Sequence, residues 1–305
     1  MKKVIILSGP TCTGKTSTAV ALAKRFSAQV VNFDSLLFYR ELNIGTAKPT
    51  SEERAGVPHH LIDIRSISEA MNAADFVALA RPLIESLQGP VLLAGGSGFY
   101  LQALVEGMWN SPTTPADVQK RSDDLYAAEG IAPFRAFLSE HDRESFLRLH
   151  ENDHYRIRRA TEHFWAHGTA FSKQREAFAP TPPPEWQLLH LHLDLPKEDH
   201  LALIRQRTRA MLQAGLVEEV KGLLAQGYTG LERPLGAIGY KETLDWLRGV
   251  YLSESEFEER IVINTRQLAK AQRTWFKRKE KRTFDPRGQL DELVELVDEF
   301  LRAPG

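Results

Sequence analysis

The densest chemistry in this 305-residue sequence sits at Gly9-Pro10-Thr11-Cys12-Thr13-Gly14-Lys15-Thr16. The pattern G-x-x-x-x-G-K-[ST], placed between an apolar run and a helical repeat, reads as a phosphate-binding loop. Its glycines permit a turn with inward-facing N–H groups, and the helix that follows adds its N-terminal dipole and free N–H groups. Lys15 supplies a point charge, and the Thr16 hydroxyl is a candidate Mg²⁺ ligand. Gly9, Thr11, Cys12, Thr13, Gly14, Lys15 and Thr16 are the expected phosphate contacts, for a nucleotide triphosphate or any pyrophosphate ester. Cys12 reads as a small residue tolerated at a variable loop position rather than as a redox sensor.

A phosphate cradle alone does not specify a reaction. NTPases usually carry an Asp at the end of a further strand to hold Mg²⁺. Here the apolar run Val91–Ala94 ends in Gly95-Gly96-Ser97-Gly98, and the acid sits elsewhere, at Asp34 after Gln29–Phe33. The guanine-reading Asn-Lys-x-Asp is absent. Motor and GTPase functions are disfavoured, and small-molecule kinases stay open.

The elements that must position these groups alternate. Val4–Leu7, Gln29–Phe33 and Pro90–Ala94 read as buried strands, while Thr16–Phe26 and Ala73–Leu87 have helical spacing. This predicts an α/β fold with a P-loop NTPase-like parallel sheet flanked by helices. After Ser111–Pro115 the pattern turns wholly helical to Phe178 and closes on the Pro-rich Ala179–Pro184. Leu188–Leu195 then alternates as a strand, with His190 and His192 expected on a partly exposed face rather than as metal ligands. The expected organisation is a core from residues 1–110 and 190–305, with an all-helical insertion at 111–189.

Composition sets outer bounds. The chain has 39 Lys and Arg against 40 Asp and Glu, 42% hydrophobic residues and a single cysteine. An intrachain disulfide and a cysteine-based zinc cluster are excluded. No apolar run approaches the roughly 18–20 residues that cross a bilayer, and the apolar stretch of the N-terminus is too short for a signal-peptide core. A cytoplasmic monomer with no membrane partner is the expectation.

Further segments act in combination. They are Asp34–Arg40, Ile44–Pro49, Pro58–Asp63, Gly95–Tyr100, Asn152-Asp153 with Arg156 and Arg159, Ala237–Glu242, and Thr265–Lys270 with Gln272, Thr274 and Trp275. In this order and spacing they resemble the tRNA dimethylallyltransferases, also called tRNA isopentenyltransferases, over nearly the whole chain. The resemblance implies transfer of a dimethylallyl group from dimethylallyl pyrophosphate to N6 of an adenosine adjacent to the tRNA anticodon. It implies that the phosphate loop holds the pyrophosphate leaving group with Mg²⁺ at Thr16, and that Asp34 is the general base. The exocyclic amine of adenine is a poor nucleophile, so a carboxylate accepting its proton helps. Ser97 stands where the family usually has Thr, its hydroxyl expected on a phosphate oxygen or on the Asp34 side chain. Asp34, Ser35, Leu36 and Leu37 form the segment expected to meet the RNA. Arg207 is either a pyrophosphate clamp or a surface arginine. Leu37, Gly236, Ala271 and Gln119 depart from the family's polar or basic residues and put individual RNA contacts in doubt.

Charge is segregated along the chain. Between Arg266 and Arg282 there are eight basic residues and one acid, Glu280. Arg266, Lys270, Arg273 and Lys277 follow +4, +3, +4 spacing and are expected on one helix face, tracking RNA phosphates. Tyr155, Arg156, Arg158 and Arg159 form a second expected tRNA-binding site, in the insertion that the family lays against the anticodon stem. Trp275 is expected to be buried against the core, with stacking on a base as the alternative.

Overall fold

The computed structural model describes all residues except 70, 108–113, 177–185, 278 and 305. Among the described residues, six strands form one parallel sheet: β1 (Lys2–Ser8), β2 (Gln29–Asn32), β3 (His59–His60), β4 (Val91–Ala94), β5 (Trp186–Leu193) and β6 (Arg282–Phe284), in the order β3-β2-β4-β1-β5-β6. β1 is central, pairing with β4 and with β5, and both of its faces are covered, which is why it reads as an unbroken apolar run. Val4 and Ile6 join one core with Phe33, Phe38, Phe76 and Leu93, while Ile5 and Leu7 join the opposite core with Val30, Leu92 and Leu193.

The helices of the first segment are α1 (Lys15–Phe26), α2 (Ser51–Arg54), α3 (Ala73–Ser86) and α4 (Gly98–Glu106). α3 opens on a capping box in which Asn72 and Asp75 satisfy each other's backbone N–H groups. After β5 come α10 (Lys197–Gln213), α11 (Leu216–Ala225), α12 (Tyr240–Leu247), α13 (Glu254–Phe276) and α14 (Leu290–Arg302). The intervening helices α5 (Ala116–Glu129), α6 (Ala132–His141), α7 (Arg143–Arg148), α8 (His154–His167) and α9 (Phe171–Glu176) form a second compact unit.

That unit spans Glu106–Pro182, and the first comprises Met1–Val105 with Pro183–Gly305. The boundary expected at 189/190 falls inside β5, because the strand begins at Trp186. The expected linker residues 111–113 and the Pro-rich 179–184 lie outside the described residues.

One expectation near β5 is corrected in part. His190 stays partly exposed but His192 is buried; both rings bond Ser8 Oγ, at 2.7 and 2.8 Å, and both pack against Phe276. Burial drives each imidazole down to about 4, so both are neutral near pH 7. The cause is β6, which the sequence pattern did not reveal, together with the end of α13 lying over this face. The basic stretch to Arg282 runs past the end of the helix that carries Arg266, Lys270 and Arg273. α13 ends at Phe276, and Arg282 opens β6.

The insertion has its own core of Phe134, Leu138, Ile157 and Ala160. Arg158 is turned into it, stacked over the Tyr126 ring at 4.7 Å, donating to Ser122 Oγ and paired with Asp123. Buried Glu162 accepts from Ser122 Oγ at 2.7 Å and from Arg159 at 3.1 Å. Arg158 is therefore an internal partner rather than an open phosphate ligand.

Candidate active site

The turn after β1 is curled by unusual backbone. Gly9 (φ 156°) passes so close to β5 that a Cβ there would fall 2.6 Å from the Leu193 carbonyl. Cys12 (φ 63°) and Gly14 (φ 73°) are both left-handed, a cost glycine avoids and cysteine does not. Thr13 Oγ1 and Lys15 Nζ donate to the Pro10 carbonyl at 2.9 and 2.7 Å. Residues Thr11 to Ser17 line a cavity of about 480 Å³. Part of the Lys15 side chain remains open, but its ammonium is enclosed. Burial brings its pKa down to about 8 against the pull of Asp34, and Arg207 adds to the downward push. Thr16 and Ser17 are exposed toward this cavity.

A second chamber, about 410 Å³, lies beyond Asp34. Its walls are largely apolar: Leu36, Phe99, Tyr100, Met211, Ile238, Ile261, Leu268 and Trp275. Thr11, Asp34, Thr46 and Arg207 line both chambers, so Asp34 stands at their junction. The Asp34 backbone is pinned by Asn32, whose Oδ1 accepts from Asp34 N at 2.8 Å and whose Nδ2 donates to the Asp34 carbonyl at 3.0 Å. The carboxylate accepts from Leu36 N at 3.2 Å, which fixes its rotamer.

The glycines after β4 clear space for this junction. A Cβ on Gly95 would meet the Asp34 backbone N at 2.8 Å, one on Gly96 the Gln272 amide at 2.5 Å, and one on Gly98 the Trp275 indole at 2.2 Å. Ser97 is placed beside Asp34 in the chain fold but bonds elsewhere. Its Oγ accepts from Ser35 N at 3.1 Å and donates to Ser35 Oγ at 3.2 Å, so of the two partners expected for it the Asp34 side chain is not the one it bonds. Trp275 is partly buried, packed against the main core and edge-on to Phe99, and it also forms part of the chamber wall.

Arg207 is at the site and is not a surface arginine. It donates to Thr11 Oγ1 at 2.9 Å and to the Thr46 carbonyl at 3.1 Å. Gln272 accepts from Thr11 N at 2.9 Å and donates to the Gly96 carbonyl at 3.1 Å. The loop carrying Thr46 is held by Glu219, which accepts from Ile44 N at 2.8 Å and from the Tyr240 hydroxyl at 2.6 Å. Sequence reasoning assigned no role to Thr46, Glu219, His200 or Gln272. Gln272 and Thr46 had a signal, their places in the Thr265–Trp275 and Ile44–Pro49 segments.

The basic face of α13 is divided. Arg266, Lys270 and Lys277 are exposed. Lys270 lines a shallow groove with Gln102, Gln267 and Thr274. Arg273 points inward instead, donating to Asp194 Oδ1 at 2.8 Å, to the Leu195 carbonyl and to His200 Nδ1. The expectation that it tracks RNA phosphates is corrected: Asp194, the Leu195 carbonyl and His200 hold its guanidinium inward although it shares the helical spacing of its exposed neighbours. Arg278 lies outside the described residues. In the second unit, Tyr155 is 65% exposed, and with Arg148, His150, Arg156 and Arg159 it lines a surface concavity of about 590 Å³. Arg156 is paired with Asp153 at 2.7 Å but remains mostly exposed.

The departures separate spatially. Leu37 faces the phosphate chamber, while Leu36 faces the apolar one. Ala271 lines the apolar chamber and the Lys270 groove. Gly236 and Gln119 are exposed and line neither chamber.

A family model described as "IPP transferase" matches residues 37–279 of this chain. Curated relatives include "tRNA dimethylallyltransferase" of Bdellovibrio bacteriovorus, 37% identical and aligned over 99% of both chains. "tRNA dimethylallyltransferase 1" of Trichlorobacter lovleyi is 40% identical over 90% of each. Among solved structures, the full-length tRNA isopentenylpyrophosphate transferase of Bacillus halodurans is 31% identical and superposes with a TM-score of 0.72, covering 99% of this chain and 97% of its own.

Proposed function

The chain belongs to the IPP transferase family, and from that premise we propose that it transfers the dimethylallyl group of dimethylallyl pyrophosphate to N6 of the adenosine adjacent to the anticodon of tRNA, releasing pyrophosphate. The observation that carries this reading is the position of Asp34 at the junction of a phosphate chamber and a largely apolar chamber of a size for an unstacked base.

The pyrophosphate of the donor sits among the loop N–H groups, Lys15 and Arg207. The C–N bond forms as the C–O bond to pyrophosphate breaks, and the N6 proton passes to the Asp34 carboxylate. Negative charge grows on the leaving group, and the cationic loop is already in place to meet it. The apolar walls exclude water that would otherwise capture the allylic carbon. Phe99, Trp275 and Leu36 suit the faces and edges of a purine.

Magnesium fits this site as an oxygen-ligated ion. The exposed Thr16 hydroxyl offers one oxygen, and among the described residues no group of three or more His, Cys, Asp and Glu forms a stronger competing site. Such a hard cation commonly takes its remaining ligands from substrate phosphates and water. When bound it would neutralise charge on the pyrophosphate.

Exposed Arg266 and Lys270 on α13 with Lys277 just past its end, and Tyr155, Arg156 and Arg159 on α8, supply cations and an aromatic face for the anticodon arm. Among the described residues no helix is long and apolar enough to cross a membrane. The working form is a cytoplasmic monomer on this reading. Nucleoside analysis of tRNA incubated with the enzyme and labelled dimethylallyl pyrophosphate tests it. The expected product is isopentenyladenosine next to the anticodon; transfer to free AMP alone would reject the acceptor, and no prenylated nucleoside would reject the reaction.

A further inference from the structure

Thr11, the loop residue shared by both chambers, is gripped at three atoms. Its N–H donates to Gln272 Oε1 at 2.9 Å, its Oγ1 accepts from Arg207 at 2.9 Å, and its carbonyl bonds His200 Nε2 at 2.7 Å. A carbonyl only accepts, so His200 Nε2 carries the proton and Nδ1 presents a lone pair. That lone pair meets Arg273 Nη2 at 2.8 Å, and a guanidinium only donates. Arg273 is in turn fixed by Asp194 at 2.8 Å and by the Leu195 carbonyl at 3.2 Å. The chain Asp194–Arg273–His200–Thr11 is thus satisfied in one tautomer. His200 is 1% exposed and lines neither chamber. Its hydrogen bond to the phosphate loop is to the Thr11 carbonyl.

The peptide that His200 holds, Thr11–Cys12, sets φ of Cys12, which is left-handed at 63°. A non-glycine residue leaves that region unless its surroundings hold it there. Alternation of ordinary and left-handed residues is what turns successive N–H groups to one side and makes a concave anion site. We propose that His200, oriented by Arg273, is a positioning residue that holds the phosphate loop in its anion-binding conformation, and that Arg273 serves the loop and not the RNA. This deepens the prenyl-transfer reading and rests on it only for the identity of the anion.

The test uses the full-length enzyme, inorganic pyrophosphate by calorimetry, and an anticodon stem-loop RNA titrated over a salt series. His200→Ala and Arg273→Ala should each weaken pyrophosphate binding by about tenfold, the size of one lost buried hydrogen bond. The KM for the prenyl donor should rise in parallel, with kcat falling less. RNA affinity and its salt slope should stay within about twofold. The double variant should be no worse than either single one, because the two act in series. His200→Gln, which can again offer an N–H to the Thr11 carbonyl, should recover most of the loss. The proposal fails if Arg273→Ala weakens RNA and flattens its salt slope while pyrophosphate binding is unchanged. It also fails if His200→Ala binds pyrophosphate as the wild type does. Should Arg273→Ala not fold, His200→Ala and His200→Gln decide the matter by the same readouts. Pyrophosphate binding needs no prenyl transfer, so an enzyme that makes no prenylated nucleoside but shows these losses would sink the reaction assignment and leave the positioning role standing.

Discussion

Gly98 and Trp275 are in direct contact: a Cβ on Gly98 would lie 2.2 Å from the indole Cδ1. The start of α4 therefore has glycine because the tryptophan of α13 leaves room for nothing larger. Gly98→Ala should push Trp275 into the apolar chamber. Overpacking of this kind costs about 1–3 kcal/mol. The expected result is a lowered Tm with kcat/KM for RNA falling more than pyrophosphate affinity. Wild-type kcat/KM in this variant would mean that Trp275 does not shape the acceptor site.

Asp34→Asn keeps the size of the side chain and leaves the Asn32 contacts to its backbone intact. Loss of a general base typically removes a factor of about 10²–10⁴ in rate. Turnover should fall by that order, with RNA and pyrophosphate affinities nearly unchanged. A variant that turns over at the wild-type rate would remove Asp34 from the mechanism.

Lys15 gives the donor site a pH dependence with a definite sign. Its pKa is lowered to about 8, so the ammonium is charged below that pH and neutral above it. Pyrophosphate affinity should therefore decline as pH rises through about 8, by up to about tenfold per unit for one proton. Lys15→Met should bind weakly and lose this inflection. An unchanged inflection in the variant would assign it to another group.

Replacing Arg266, Lys270 and Lys277 together should weaken RNA binding and reduce its dependence on salt, by about 0.7 in the log–log slope for each single-strand phosphate contact removed. Pyrophosphate binding should be untouched. If affinity and slope both stay at wild-type values, this face of α13 does not meet RNA.

Arg158→Ala tests the opposite assignment within the insertion. It removes a partner of the nearly buried Glu162 and of Ser122. A destabilisation of about 1–3 kcal/mol is expected from the unpaired buried groups, with RNA affinity and its salt slope retained once the protein is folded. Undiminished thermal stability would return Arg158 to the list of RNA ligands.

The sequence by itself determined the phosphate loop, the parallel α/β core and the acid after β2, because each rests on local rules: glycine freedom, apolar runs and spacing along one segment. It did not determine which cations face solvent. Arg158 and Arg273 lie in basic runs like those of Arg156 and Lys270, yet one is turned onto the Tyr126 ring and the other toward Asp194. Their ion-pair partners, Asp123 and Asp194, are 35 and 79 residues away in sequence, and a helical period fixes a face only relative to its own axis. β6 escaped for a related reason: three residues give no period, and only pairing along β5 makes them a strand. The covering of His190 and His192, the meeting of both chambers at Asp34 and the three-sided hold on Thr11 are products of long-range packing, which tertiary structure alone decides.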